Sequence, residues 1–172
     1  MHPVNDVSVP SLYHTLPKYD QSSGQDLIRF IERFIKITSS SHLGNIGDPV
    51  VLQDWQKEFI WALNEQRDDG MFRYKKALLL ISKKNGKSFL LSALVVANLF
   101  MRESNSTIAV IASTREQAGI IFKESVRMIK ANPTLREKIH FRENVKELVN
   151  TLNGSMVKVY ASDVDGLDGI LR

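Results

Sequence analysis

Five consecutive apolar residues, Ala77-Leu78-Leu79-Leu80-Ile81, end at a polar loop over residues 82–86, and a longer apolar run begins directly after it. The first run is too short for a helix and fits a strand buried on both faces, as in a parallel sheet. The second, FLLSALVVANLFM at residues 89–101, has the length of a buried helix, expected to open at about Lys87. Residues 107–112 read as another buried strand. They lead to a helix that Thr114 and Gln117 are placed to cap and that must stop at Asn132-Pro133. Strand, helix, strand, helix with crossovers of this length predicts an α/β fold, a parallel sheet flanked by helices. Ligands bind such sheets beyond the carboxyl ends of the strands.

Upstream, residues 1–24 hold Pro3, Pro10 and Pro17 among Ser and Asn residues without apolar periodicity, and read as a loosely ordered arm. Residues 25–172 are expected to form one domain. From Gln25 the positions Leu27, Ile28, Ile31, Phe34 and Ile35 follow helical spacing, with Ser22 and Gln25 as a capping box. A Ser-, Gly- and Asn-rich linker at residues 39–49 precedes a second helix marked by Trp55, Phe59, Ile60 and Leu63. Near the other end, after a short helical turn, residues 145–151 and 155–160 flank Asn153-Gly154, a two-residue hairpin signal.

A chain of 172 residues that is 43% hydrophobic carries enough apolar surface for one core. The absence of cysteine removes disulfides and thiolate metal sites. The four histidines, His2, His14, His42 and His140, are too scattered to pair as ligands on one element. A formal charge of +4 suits a polyanionic partner without requiring one. The apolar run at 89–101 falls short of the about 20 residues that a bilayer-spanning helix needs. The N-terminus also lacks the basic start and apolar stretch of a secretory signal, so a cytoplasmic location without a membrane partner is expected.

The junction between the apolar strand and the apolar helix carries the chemistry. Gly86-Lys87-Ser88 is the G-K-S end of a phosphate-binding loop, in which backbone N–H groups and a helix N-terminus face phosphate oxygens. Lys87 is the candidate point charge on the phosphates, and Ser88 the candidate hydroxyl for Mg²⁺. The first glycine of G-x-x-x-x-G-K-S would fall at Ile81, so the bare pattern is incomplete. An isolated Asn85-Gly86 turn in a solvated basic loop would read as a turn and nothing more. Its place between a buried strand and a strongly apolar helix favours the phosphate loop.

Residues 82–88, Ser-Lys-Lys-Asn-Gly-Lys-Ser, resemble the phosphate loop of phage terminase large subunits, a family whose loop typically lacks that first glycine. The resemblance implies a P-loop NTPase fold of the ASCE/RecA-like class that binds ATP with Mg²⁺. It implies nucleotide contacts from Ser82, Lys84, Asn85, Gly86, Lys87 and Ser88. Lys83, where the family more often has arginine, would touch the γ-phosphate and sense hydrolysis in cis.

Upstream, Leu52-Gln53-Asp54-Trp55-Gln56 is similar to the family's L-x-P-W-Q segment, with Asp54 in place of proline, and implies that Gln56 reads adenine through its amide. Asp69-Gly70 and Arg73-Tyr74 resemble the stretch before the loop strand. Residues 112–118 resemble the family's A-x-x-R-x-Q-A segment, with Arg115 as a candidate for contact with DNA. Without that resemblance, Thr114 is a helix cap and Arg115 a solvated first-turn residue. Ala161-Ser162-Asp163 and Leu167-Asp168-Gly169 are similar to the loop before the family's acidic strand.

The resemblance therefore implies the ATP-binding portion of a motor that packages double-stranded viral DNA, encoded by a phage or prophage and working in the host cytoplasm. Its implied partners are the terminase small subunit, the portal protein and further copies in a ring. Full-length members also cut DNA as endonucleases. The strand ending in Asp-Glu, known as Walker B, and the nuclease domain are not found within these 172 residues, so the fold is expected to be incomplete at its C-terminal side. The alternatives are a helicase-like P-loop ATPase and a nucleotide- or DNA-binding fragment that does not hydrolyse ATP.

Overall fold

The computed structural model of the chain describes residues 24–39 and 44–161. Helix α1 (Gly24–Phe34) and helix α2 (Asp54–Leu63) come first, followed by α3 (Lys87–Met101), β1 (Thr107–Ala112), α4 (Arg115–Lys130) and the single turn α5 (Pro133–Arg136). Then β2 (Ile139–Arg142), a 3-10 turn (Glu143–Val145), β3 (Glu147–Asn150) and β4 (Met156–Ala161) complete the described chain. The arm at 1–23, including the Ser22 cap, and the aspartate-containing segment at 162–172 lie outside the described residues.

The sheet runs β1-β4-β3-β2. One pairing is parallel, β1 with β4, in register from Thr107 opposite Met156 to Ala112 opposite Ala161. Antiparallel β3 and β2 extend the sheet beyond β4. The hairpin at Asn153-Gly154 is present, but its connection is longer than a two-residue turn. The Asn150 amide donates to the Ser155 carbonyl, the Gly154 amide returns to the Asn150 carbonyl, and Gly154 is left-handed at φ +71°. A Cβ on Gly154 would lie 2.3 Å from Asn105 Oδ1. Strand β3 starts later than the apolar pattern suggested because Glu143–Val145 closes a 3-10 turn and Lys146 is left-handed.

Helices α3 and α4 cover one face of the sheet. Leu90, Ala93, Val96, Ala97, Leu99 and Phe100 of α3 are fully buried. On α4, Phe122, Val126, Met128 and Ile129 complete this layer. Its apolar character follows from burial on both sides: the sheet lies below, and α1 packs from above with Phe30 against Phe100 at 5.7 Å between centroids. Polar side chains inside the layer are paired, as burial requires. Ser92 Oγ donates to the Ser88 carbonyl at 2.9 Å and the Ile121 carbonyl at 3.3 Å, and Ser125 Oγ donates to the Ile121 carbonyl at 2.9 Å. Asn150 Nδ2 reaches the Leu99 carbonyl at 3.0 Å, and Asn132 Nδ2 the Phe34 carbonyl at 2.9 Å.

The segment at 77–81 departs from its expectation. It pairs with no strand among the described residues, and exposure alternates along it: Leu79 packs on the core while Leu78 and Leu80 are 79% and 81% exposed. That period of two belongs to an extended chain covered on one face only. Burial on both faces needs a second covering layer and a ladder partner on each edge, and this segment has no strand partner among the described residues. Strand β1 shows the same one-sided burial, with Ile108 and Val110 inward and Ile111 exposed. No helix among the described residues is long and apolar enough to cross a membrane.

Candidate nucleotide-binding site

The loop at 82–88 leaves the extended segment at Ile81 and enters α3 at Lys87. Lys84 (φ 68°) and Gly86 (φ 77°) are left-handed, and Asn85 between them is not. Alternating handedness turns successive N–H groups toward one side and makes an anion-accepting concavity. Gly86 is the N-cap of α3, so no side chain occupies the free N–H groups of the helix's first turn. A glycine is required there because the left-handed backbone disfavours a Cβ.

The electrostatics point the same way. Helices α1, α2 and α4 carry Asp26, Asp54 and Glu116 in their first turns, as the helix dipole favours. Helix α3 carries no acid there and begins instead with Lys87. Lys83, Lys84 and Lys87 are exposed, and none takes part in an ion pair among the described residues. Three unpaired cations at the positive end of a 15-residue helix repel one another and the dipole. An anion in the concavity removes that repulsion. Ser82, Asn85 and Ser88 are exposed around it, so the Ser88 hydroxyl is open to a metal-bound phosphate. No group of three or more His, Asp or Glu side chains among the described residues could hold a metal ion. Mg²⁺ held mainly by phosphate oxygens and water needs few protein ligands.

Gln56 sits differently. It is the third residue of α2 and is only 1% exposed. Its Oε1 accepts from the Gln53 amide at 2.9 Å, closing a capping box, and its Nε2 has no partner among the described residues. A buried, unpaired amide donor is costly and points to an acceptor from outside the described residues. No hydrogen bond among the described residues connects Gln56 with the loop. Gln53 was not singled out in the sequence, although Gln at N-cap with Gln at the third helical position is a capping-box signal. Its backbone amide orients Gln56, and its Oε1 accepts from the Trp55 indole at 2.6 Å.

Arg115 is the first residue of α4, three residues beyond the carboxyl end of β1. Thr114 caps this helix by accepting from the Gln117 amide at 3.2 Å, as its sequence suggested. Connections of five residues from α3 to β1 (102–106) and of two from β1 to α4 (113–114) turn the chain back at each end of β1, so both helices run opposite to that strand and parallel to each other. The loop at 82–88, Arg115 and the carboxyl ends of β1 and β4 therefore share one end of the sheet, the end where such folds bind ligands. Asp69, Gly70 and Arg73 form a surface turn instead: Asp69 Oδ1 accepts from the Met71 amide at 3.0 Å, Asp69 pairs with Arg67 at 2.9 Å, and Arg73 pairs with Glu65.

Residues 54–172 match the family described as "Terminase large subunit, ATPase domain". The chain is 36% identical over 128 residues to the large terminase subunit of Enterobacteria phage HK97, covering 73% of this chain and 24% of that protein. It is also similar to the crystal structure of the HK97 bacteriophage large terminase, with a TM-score of 0.71 and 30% identity over 83% of this chain and 28% of the other. The chain thus spans about a quarter of the length of the relatives it matches.

Proposed function

Because the chain belongs to the terminase large-subunit family through its ATPase domain, we propose that residues 82–88 bind Mg-ATP and that this region is the nucleotide-binding part of a motor driving double-stranded viral DNA into a capsid. The observation that carries the reading is the uncapped N-terminus of α3, with left-handed Lys84 and Gly86 beside three unpaired lysines. Family membership leaves the helicase-like alternative without support.

In this reading Lys87 neutralises phosphate charge, while the loop amides and the side chains of Ser82, Lys84 and Asn85 orient the polyphosphate. Ser88 holds the Mg²⁺ that accompanies the nucleotide, an ion that withdraws charge from the phosphates. Lys83 lies at the γ-phosphate end as the sensor in cis. A lysine there supplies a point charge without the planar fork of arginine. Gln56 donates its unpaired Nε2 to adenine, and Arg115, at the same end of the sheet, meets the DNA backbone. The terminase small subunit, the portal protein and further copies in a ring are the proposed partners, and the host cytoplasm the proposed location. Endonuclease activity belongs to the proposed role of the full-length protein.

Nucleotide-dependent thermal stabilisation tests the reading. A ligand that binds only the folded state must raise its melting temperature. Mg-ATP should stabilise the parent chain and leave Lys87→Ala almost unmoved. A parent chain that Mg-ATP does not stabilise would overturn it.

A further inference from the structure

At the far end of α3 from the phosphate loop, about 22 Å away at 1.5 Å per residue, a cleft of about 880 Å³ opens between α2, the turn at 66–75 and the start of the β1 connection. Arg102, the C-cap of α3, lines it with Phe72, Tyr74, Lys75, Met101 and Glu103. The Arg102 guanidinium lies over the Phe72 ring, with Cζ 4.7 Å from the centroid. Its Nε donates to Asn98 Oδ1 at 2.7 Å. Ring and amide together hold the group flat and in one orientation, and its two Nη groups take part in no ion pair among the described residues.

Burial lowers the Arg102 pKa, with Glu103 opposing in part. The side chain is thus a partly desolvated cation, and an anion would offset the cost of that partial burial. Arg73 and Arg67 nearby already have Glu65 and Asp69. Lys75 has no ion-pair partner among the described residues, so the lining carries two such cations and one acid, a net charge that one monoanion balances. The walls mix apolar and aromatic side chains (Leu63, Met71, Phe72, Tyr74, Met101) with polar Gln66 and Ser106, and Met71 and Tyr74 at the rim are 53% and 51% exposed. A concave lining that is about half apolar, around a fixed guanidinium, suits a carboxylate on an apolar stem, taken in the two-pronged geometry that arginine favours. It suits a duplex phosphate poorly, because that group is presented on a convex, polar surface.

We infer that this cleft is a binding site for a carboxylate on an apolar or aromatic stem, held by Arg102 with Lys75 and stacked among Phe72, Tyr74 and the methionines. The carboxylate can come from a free small acid or from an Asp or Glu side chain of a protein segment. Two probes distinguish these sources: N-acetylphenylalanine, and the capped tripeptide acetyl-Phe-Asp-Leu-amide.

The experiment is an NMR titration of the full chain that follows the Arg102 Nε–H and the Phe72 and Tyr74 rings. Saturable shifts are expected with at least one acid and absent with N-acetylphenylalaninamide and acetyl-Phe-Asn-Leu-amide. Binding of both acids with similar affinity identifies a small-acid site, and binding of the tripeptide alone a peptide site. R102Q should weaken the binding at least tenfold. K75Q, a change at an exposed position, should weaken it several-fold with the melting temperature unchanged, so a folding defect in R102Q cannot mimic the result. Uncharged probes binding as well as the acids, K75Q and R102Q both binding like the parent, or no saturable shift with either acid would overturn the assignment.

Discussion

Removing the Lys87 ammonium separates binding from folding. The side chain is exposed, lies in the first turn of α3 and has no ion-pair partner among the described residues, so Lys87→Ala takes no native contact from the fold. It also removes a positive charge from the positive end of a helix dipole, which favours the variant's unliganded state by about 0.3–1 kcal/mol. The nucleotide complex changes in the opposite direction. A charge-assisted contact to phosphate contributes about 1.5–3 kcal/mol, which is about tenfold to a hundredfold in Kd. With Mg-ATP at about 100 times the parent Kd, the parent gains about 2.7 kcal/mol and a variant weakened a hundredfold about 0.4 kcal/mol. For a domain of this size each kcal/mol corresponds to about 2–4 °C, so a parent shift of about 5–11 °C should fall to about 1–2 °C. Differential scanning fluorimetry with and without Mg-ATP reads both effects. Equal shifts in parent and variant, or an unliganded variant that melts well below the parent, would refute the reasoning, the first for binding and the second for the exposed, unpaired placement of Lys87.

Gln56→Ala should weaken ATP more than tripolyphosphate, because only ATP offers a base to its unpaired Nε2, and calorimetric titration of both ligands decides it. The same change leaves the Gln53 amide without its acceptor and should cost about 1–3 kcal/mol in urea unfolding. Phe100→Ala empties a fully buried site against Phe30 and should destabilise by about 3–5 kcal/mol, checked by the urea midpoint at constant slope. A polypeptide of these 172 residues should bind Mg-ATP with phosphate release near background, since the loop supplies a cradle and no described residue is placed to orient the attacking water. Multiple turnovers in a phosphate-release assay that vanish in Lys87→Ala would contradict this.

The helices were legible because their hydrogen bonds close within four residues and their buried faces recur at 3.6. The Thr114 cap and the stop at Asn132-Pro133 are local for the same reason, and so is the turn at 82–86, whose Gly86 leads directly into the helix that follows. Strand partnership is not local. The apolar run at 77–81 could not disclose that two of its leucines would face outward, and β2 went unread because its pairing with β3 depends on residues beyond its own sequence. Which polar groups meet is equally a matter of packing. The motif of Gln56 implies a contact to adenine, but only the fold shows that the side chain is buried with its oxygen engaged by the Gln53 amide. Arg102 follows an apolar helix in the sequence, and only the approach of Phe72, thirty residues earlier, makes it a fixed and half-buried cation. Sequence by itself determined the helices and the turn that opens α3, because backbone hydrogen bonding and chain conformation act over a few residues. Edges, burial and charge compensation were decided by the tertiary structure, because they depend on which distant segments exclude water from one another.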